Sequence, residues 1–132
     1  MAAIHASAFA APNAWSGDVF RLQLALPNVF GLLHPSGGLI LLRLAADEAE
    51  VLTLAVTPDA RRGGVGAALL REATTRAAAM GARAVFLEVS VANIAARQLY
   101  TRADFIPAGL RPHYYSDGSD ALVLRLDLHP PD

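Results

Sequence analysis

The chain has no cysteine, which excludes disulfides, thiolate metal sites and a cysteine nucleophile at once. Charge is scarce: 17% of residues are charged, and their signs nearly cancel to a formal net charge of -1. Such a surface has no general attraction for nucleic acid, so none is expected as a partner. No run of about 18 apolar residues occurs, so no membrane span is expected. The stretch from Met1 to Pro12 is rich in alanine but has no Lys or Arg to begin a signal peptide, and a cytoplasmic protein is expected. The four histidines, His5, His34, His113 and His129, lie far apart without ligand spacing, so no metal is expected.

What remains is a chain of 132 residues, 54% hydrophobic, enough for one compact domain that mixes helix and strand. With no repeat or linker-like segment, a single domain over 1–132 is expected. Two short helices are predicted at Ala2 to Phe9 and Ser16 to Leu26, with Ser16 as an N-cap. Asn28 to Leu33 and Gly38 to Ala45 read as strands joined by a Pro-Ser-Gly-Gly turn, and Glu50 to Val56 as a central strand ended by Pro58. Ala67 to Met80 reads as a helix with Val65, Leu69, Ala73 and Met80 near one face and Gly81 as its stop. Ala84 to Val89 is a buried strand, Asn93 to Arg102 a helix, and Phe105 onward is extended. Ala121 to Leu128 closes the sequence as a strand.

Between the central strand and the following helix lies Arg61-Arg62-Gly63-Gly64-Val65-Gly66. Glycines allow a phosphate to approach the backbone, and the N–H groups of a helix start point at it. A nucleotide-triphosphate loop would need Lys and a hydroxyl residue where Ala67-Ala68 stand. A dinucleotide fingerprint would need glycine where Leu69 stands. A tight packing turn is the plainer alternative. Glu88 lies in an apolar run, where an unpaired carboxylate is costly. Either it serves as a general base, or it faces a wet groove or pairs with an arginine. Asn93 suits a helix N-cap. Tyr100 is a core candidate as well as a suitable proton donor to a thiolate. Tyr114 and Tyr115 could line a groove, with Asp117 and Asp120 attracting a cationic amine, or they could pack across a hairpin.

The order and spacing of these segments carry more than any one of them. Arg61-x-x-Gly64-x-Gly66 after a strand resembles the acetyl-CoA diphosphate loop of the GNAT superfamily of N-acetyltransferases. More narrowly, L-T-L-A-V-T-P-D-A-R-R-G-G-V-G-A-A-L-L, F-L-E-V-S-V-A-N-I-A-A-R-Q-L-Y and R-P-H-Y-Y-S-D-G-S-D-A-L-V-L resemble its branch of ribosomal-protein-alanine N-acetyltransferases (RimI type). The likeness is good over about residues 48–128 and looser over 1–47. It implies an α+β fold: a mostly antiparallel, twisted sheet, splayed at the cofactor site, with helices on both faces. The first edge strand of the family is missing from the pattern.

The resemblance also implies roles. Leu54, Ala55 and Val56 would meet the pantetheine arm of acetyl-CoA. Arg61, Arg62, Gly63, Gly64, Val65, Gly66 and Ala67 would cradle the diphosphate, and Asn93 would hydrogen-bond the donor. Glu88 would be the proton acceptor and Tyr100 the proton donor in a direct transfer, with no covalent enzyme intermediate. Arg111, Tyr114 and Tyr115 would help form the groove for the N-terminus of a protein or peptide. The expected partners are thus acetyl-CoA and that acceptor, in a monomer or weak homodimer. A lysine or small-molecule acceptor, or a non-catalytic CoA-binding regulator, are the alternatives. Two departures stand out: Asp104 sits where glycine is common, and Ser90 where arginine is frequent.

Overall fold

A computed structural model of the chain describes residues 25–58 and 63–128. The helices expected at Ala2 to Phe9 and through most of Ser16 to Leu26 lie outside the described residues, as do Arg61 and Arg62. Ala25 and Leu26, the expected end of the second helix, are turn and bend.

Six strands and two helices follow in the order β1 (Val29–His34), β2 (Gly38–Ala45), β3 (Glu48–Val56), α1 (Val65–Ala79), β4 (Ala84–Ser90), α2 (Ile94–Arg102), β5 (Ile106–Arg111) and β6 (Ala121–Asp127). The sheet order is β1-β2-β3-β4-β6-β5. Every neighbouring pair is antiparallel except β3 and β4, which the crossover through α1 makes parallel. Among the described residues, no helix is long and apolar enough to cross a membrane.

The core explains why α1 forms and lies where it does. Val65, Leu69, Leu70, Ala73 and Ala77 are buried at helical spacing. They cover Ile40, Leu42, Val51, Val85, Leu87, Val89 and Leu124 of the sheet, and Tyr100 of α2 joins the same cluster. Ala73 and Ala77 are fully buried, and their small side chains let the helix axis come close to the strands. Met80 does not belong to this face as expected; it is 59% exposed. The helix ends at Ala79, Met80 is its cap, and Ala77 takes the place one turn after Ala73. Gly81 then stands in left-handed geometry, as its expected stop role requires. Asp104 adopts the same geometry, φ 72°, so it performs the turn for which the family commonly uses glycine.

Both described helices pack on one core. On β2, Leu39 and Leu41 are fully buried too but lie outside that cluster, as alternation along a strand requires. The second face of the sheet is therefore closed to water at β2.

The splay is visible in the register. β3 follows β2 from Glu48↔Ala45 to Val56↔Gly38, with a shift that places Leu52 as an extra residue between Thr53↔Leu41 and Val51↔Leu42. Its ladder with β4 consists of Glu48↔Ala84, Ala49↔Val85 and Glu50↔Phe86 and ends there. β4 continues to Ser90 against β6. An extra residue bends a strand and sharpens its twist, so the bulge at Leu52 turns the end of β3 away from β4. A wedge opens between them, with its mouth beside the start of α1.

Candidate active site

The wedge has a floor, a mouth and two sides, each built from local sequence. Leu54, Ala55 and Val56 run along it beyond the last β3–β4 pair, held by β2 on the other side through Ile40, Leu39 and Gly38. At the mouth stands Gly64, the N-cap of α1, at φ 79°. A side chain there would occupy a conformation that costs roughly 1–2 kcal/mol for most residues. No side chain caps the helix, and its first turn closes with Ala68 N donating to Gly64 O at 3.0 Å. The preceding N–H groups, at Gly66 and Ala67, therefore lie at the bare positive end of the helix. Gly66 packs so close to α2 that a Cβ on it would meet Leu99 Cδ2 at 3.2 Å and Val56 Cγ2 at 3.8 Å. Thus the end of β3, the start of α1 and the middle of α2 converge at one point. This is a fit for a diphosphate: an uncapped helix start at a glycine pair, leading into the wedge.

Asn93 does what a helix N-cap does. Its Oδ1 accepts from Ala96 N at 3.1 Å, satisfying one open donor of α2. Its side-chain amide nitrogen has no bond to that cap and is the part open to a ligand.

Tyr100 is on the α1 side of the sheet, 7% exposed and edge-on to Phe105 with ring centroids 5.8 Å apart. Burial, and secondarily the neighbouring Tyr115, push its phenol well above the ordinary tyrosine range. Its hydroxyl has no hydrogen-bond partner among the described residues. A buried hydroxyl left so costs about 1–3 kcal/mol, and a native structure seldom keeps one without reason. A ligand atom reaching down the wedge would supply the missing partner. The orphaned phenol is thus a second feature that fits a thioester-bearing group.

Glu88 is on the other face. Its neighbours Leu87 and Val89 enter the core, so strand alternation sends Glu88 the opposite way. Its carboxylate pairs with Arg111 at 3.2 Å; the side chains are 19% and 59% exposed respectively. The nearby Glu88 carboxylate raises the Tyr114 phenol above the ordinary tyrosine range. Arg111 lies over the Tyr114 ring at 5.7 Å, and Tyr114 and Tyr115 meet edge-on at 5.1 Å. The Tyr115 phenol is pushed up to about 12, chiefly by burial and then by Glu88. Tyr115 is therefore within electrostatic reach of both Glu88 on one face and Tyr100 on the other.

In front of Glu88 is a cavity of about 250 Å³, whose walls include Arg43, Glu48, Glu50, Phe86 and Arg111. Arg43 and Glu50 form an ion pair there. Sequence reasoning missed Arg43, Glu48 and Glu50. The available signal was parity: in E-A-E-V the glutamates alternate with buried Ala49 and Val51, as Glu88 alternates with Leu87 and Val89. With Glu50 registered to Phe86, those charges must share a face with Glu88.

Asp117 and Asp120, read in sequence either as attracting a cationic amine or as part of a hairpin turn, both bond within their own loop. Asp117 Oδ1 accepts from Ser119 N and Oγ at 2.9 and 2.6 Å, and Asp120 Oδ1 accepts from His113 N at 2.9 Å. Short polar side chains that bond to nearby backbone are a common device for fixing turns. Among the described residues no group of His, Asp or Glu is arranged to hold a metal ion.

With this geometry in view, the likeness to known proteins is specific. Residues 27–105 match the profile of the Acetyltransferase (GNAT) family. The chain is 34% identical over 139 residues to N-alpha-acetyltransferase RimI of Mycobacterium tuberculosis, spanning 98% of this chain and 86% of that one. It is 33% identical over 128 residues to a Bacillus subtilis protein provisionally named a ribosomal protein-alanine N-acetyltransferase, spanning 92% of this chain and 83% of the other. The crystal structure of the ribosomal-protein-alanine N-acetyltransferase of Escherichia coli superposes with a TM-score of 0.86 at 28% identity, covering 99% of this chain and 87% of that one.

Proposed function

Because the chain belongs to the Acetyltransferase (GNAT) family and is an N-acetyltransferase, we propose that it transfers acetyl from acetyl-CoA to the N-terminal α-amine of a protein, a ribosomal protein being the first candidate. The observation that carries this reading is the division of the wedge: a buried phenol without a partner among the described residues on the helix side, and a carboxylate beside a cavity on the other. The names of the relatives at 33% and 34% identity support the choice of an α-amine.

Acetyl-CoA, when bound, supplies an activated acyl group on sulfur. The residues of the chain do the rest. Gly63 to Ala67, with the charge of Arg61 and Arg62, bind phosphate at the start of α1. Leu54, Ala55 and Val56 present backbone along the wedge, and Asn93 offers its amide nitrogen. On the far side, Arg111 walls the cavity into which the acceptor's first residues enter, with Tyr114 and Tyr115 packed beside it. Glu88 takes the proton that the amine must lose. That demand favours an N-terminus: at pH 7 the neutral form costs about 1.4 kcal/mol for an α-amine of pKa about 8, against about 4.6 for lysine at about 10.4. Tyr100, its hydroxyl without a partner among the described residues, hydrogen-bonds the departing sulfur and gives it a proton. Base and acid thus reach the reacting centre from opposite faces of the sheet.

The test is mass spectrometry of acetyl groups on a peptide panel. Peptides beginning with alanine or serine should gain one acetyl at the N-terminus. The same peptides blocked at the N-terminus but carrying lysine, and free polyamines, should gain none. Acetylation of lysine or polyamine alone would overturn the reading. Because all eleven basic side chains of the enzyme are arginine, self-modified lysine cannot confuse the result.

A further inference from the structure

The loop between β5 and β6 carries Tyr114, which packs on the cavity-lining Arg111, and Tyr115 against it, and the loop is fastened by something the family resemblance does not predict. Ser90, at the end of β4 where arginine is frequent in relatives of this type, has its Oγ 2.8 Å from Ser119 Oγ. The two are 29 residues apart, so this is a tertiary tie and not a local turn bond. Its direction follows from chemistry. Ser119 Oγ and N both donate to Asp117 Oδ1, and a carboxylate at neutral pH has no proton to return. Ser119 has therefore committed its only hydroxyl proton, and Ser90 must donate to it. Ser90 Oγ in turn accepts from Ala92 N at 3.2 Å. The donors align in one sense, from a backbone N–H through two hydroxyls to an anion, an arrangement in which each bond polarises the next.

The far end of this chain leads to the cavity. Ser119 O accepts from Tyr115 N at 3.2 Å, and Tyr115 O accepts from Gly118 N at 2.9 Å, so Ser119 closes the turn that Tyr115 opens. Tyr115 packs edge-on to Tyr114, whose ring lies under Arg111, the ion-pair partner of Glu88. The base of the loop is held separately, by Val91 N donating to Asp120 O at 3.0 Å and by the Asp120 bond to His113 N. Cutting the serine tie would therefore loosen the tip and leave the strands paired.

We infer that Ser90 and Ser119 are positioning residues for the acceptor, fixing Tyr114 and Tyr115 at the cavity through a hydroxyl tie that ends on Asp117. The inference rests on the placement of the acceptor on the Glu88 face. Ser119→Ala and Ser90→Ala should each raise the KM for an alanine-initiated peptide by roughly three- to tenfold, the effect of one part-buried hydrogen bond. The KM for acetyl-CoA should stay at its wild-type value, and the melting midpoint should fall by no more than the few degrees that one hydrogen bond supplies. Ser119→Thr, which keeps the hydroxyl, should restore the peptide KM, and the double alanine variant should be no worse than Ser119→Ala, because the two act as one unit. An unchanged peptide KM in the alanine variants overturns the inference. So does a loss of stability with both KM values rising together, or failure of threonine to rescue. If Ser119→Ala does not fold, Ser90→Ala is read in its place. Amide exchange at Tyr115 and Gly118 gives a readout independent of turnover: it should quicken in the alanine variants, and unchanged exchange overturns the tie. Failure of the wild-type enzyme to acetylate any peptide would instead defeat the acceptor reading itself.

Discussion

Replacing Tyr100 by Phe separates function from packing more cleanly than any other single change, because the two predict opposite signs. The side chain is 7% exposed, and its ring packs on Phe105, so phenylalanine keeps almost all of the buried apolar area. What it removes is a hydroxyl with no partner among the described residues. Burying such a group costs about 1–3 kcal/mol, and the variant should recover part of that, about 1 kcal/mol. For a domain of this size that is a rise in Tm of roughly 3–6 °C. The same hydroxyl, if it donates to the departing sulfur, is worth about 10² to 10⁴ in rate. The Phe variant should therefore be more stable and much slower, a trade found where a site keeps a strained or unsatisfied group for its chemistry. Coenzyme A sharpens the test, since a ligand that satisfies the phenol should stabilise the wild type more than the variant. Thermal melts with and without coenzyme A, beside single-turnover rates, supply every quantity needed. A variant that is less stable and equally fast would show that the hydroxyl is structural, and the assigned role would fall.

Glu88→Gln should lower kcat by about 10² to 10⁴ while leaving coenzyme A affinity, measured by calorimetry, near wild type, because the carboxylate lies on the opposite face from the helix start; an unchanged kcat would remove Glu88 as base. Gly66→Ala should raise the KM for acetyl-CoA several-fold with a stability change under about 1 kcal/mol, since its Cβ forces Leu99 to give by a few tenths of an ångström; equal KM values would detach the turn from the donor. Alkaline unfolding gives a check on the tyrosines. Tyr115 is pushed up to about 12, and Tyr114 and Tyr100 are raised as well. The folded state therefore holds protons that the unfolded chain releases near pH 10, and stability should fall as pH rises from about 10 through 12. A denaturant midpoint flat across that window would contradict the burial of Tyr100 and Tyr115 and the placement of Tyr114 beside Glu88.

The fold was largely readable because its signals are local and redundant. β2 matches its expected span from Gly38 to Ala45, and the helix that follows the glycine turn is where propensity and spacing place it. Met80 shows the limit: periodicity continues on paper past the point where the backbone has already turned. Glu88 posed two readings, base or arginine partner, and the structure contains the features of both, an ion pair to Arg111 within a cavity. What sequence could not supply was anything set by the bulge at Leu52 or by contacts between distant strands. The Arg43–Glu50 pair depends on register across a hairpin, and the Ser90–Ser119 tie joins the ends of elements far apart in the chain. Asp117 and Asp120 stayed open between two readings for the same reason: their charge is obvious in sequence, while the loop donors they accept from are not.

These features have a common origin in one extra residue. Had β3 paired with β4 along its full length, the sheet would separate Tyr100 from Glu88 completely, and no reacting group could be in touch with both. The shift at Leu52 ends that ladder after Glu50 and Phe86 and opens the sheet where the two faces must communicate. It also explains why the helix that follows starts without a side-chain cap. If, as proposed, the mouth of the opening takes a phosphate, a capping carboxylate or hydroxyl would fill that place, and the bare helix start at Gly64 finds its partner in the ligand. On this account, restoring the local rules should harm the enzyme: an N-cap aspartate at residue 64 should repel the phosphates it faces and raise the KM for acetyl-CoA.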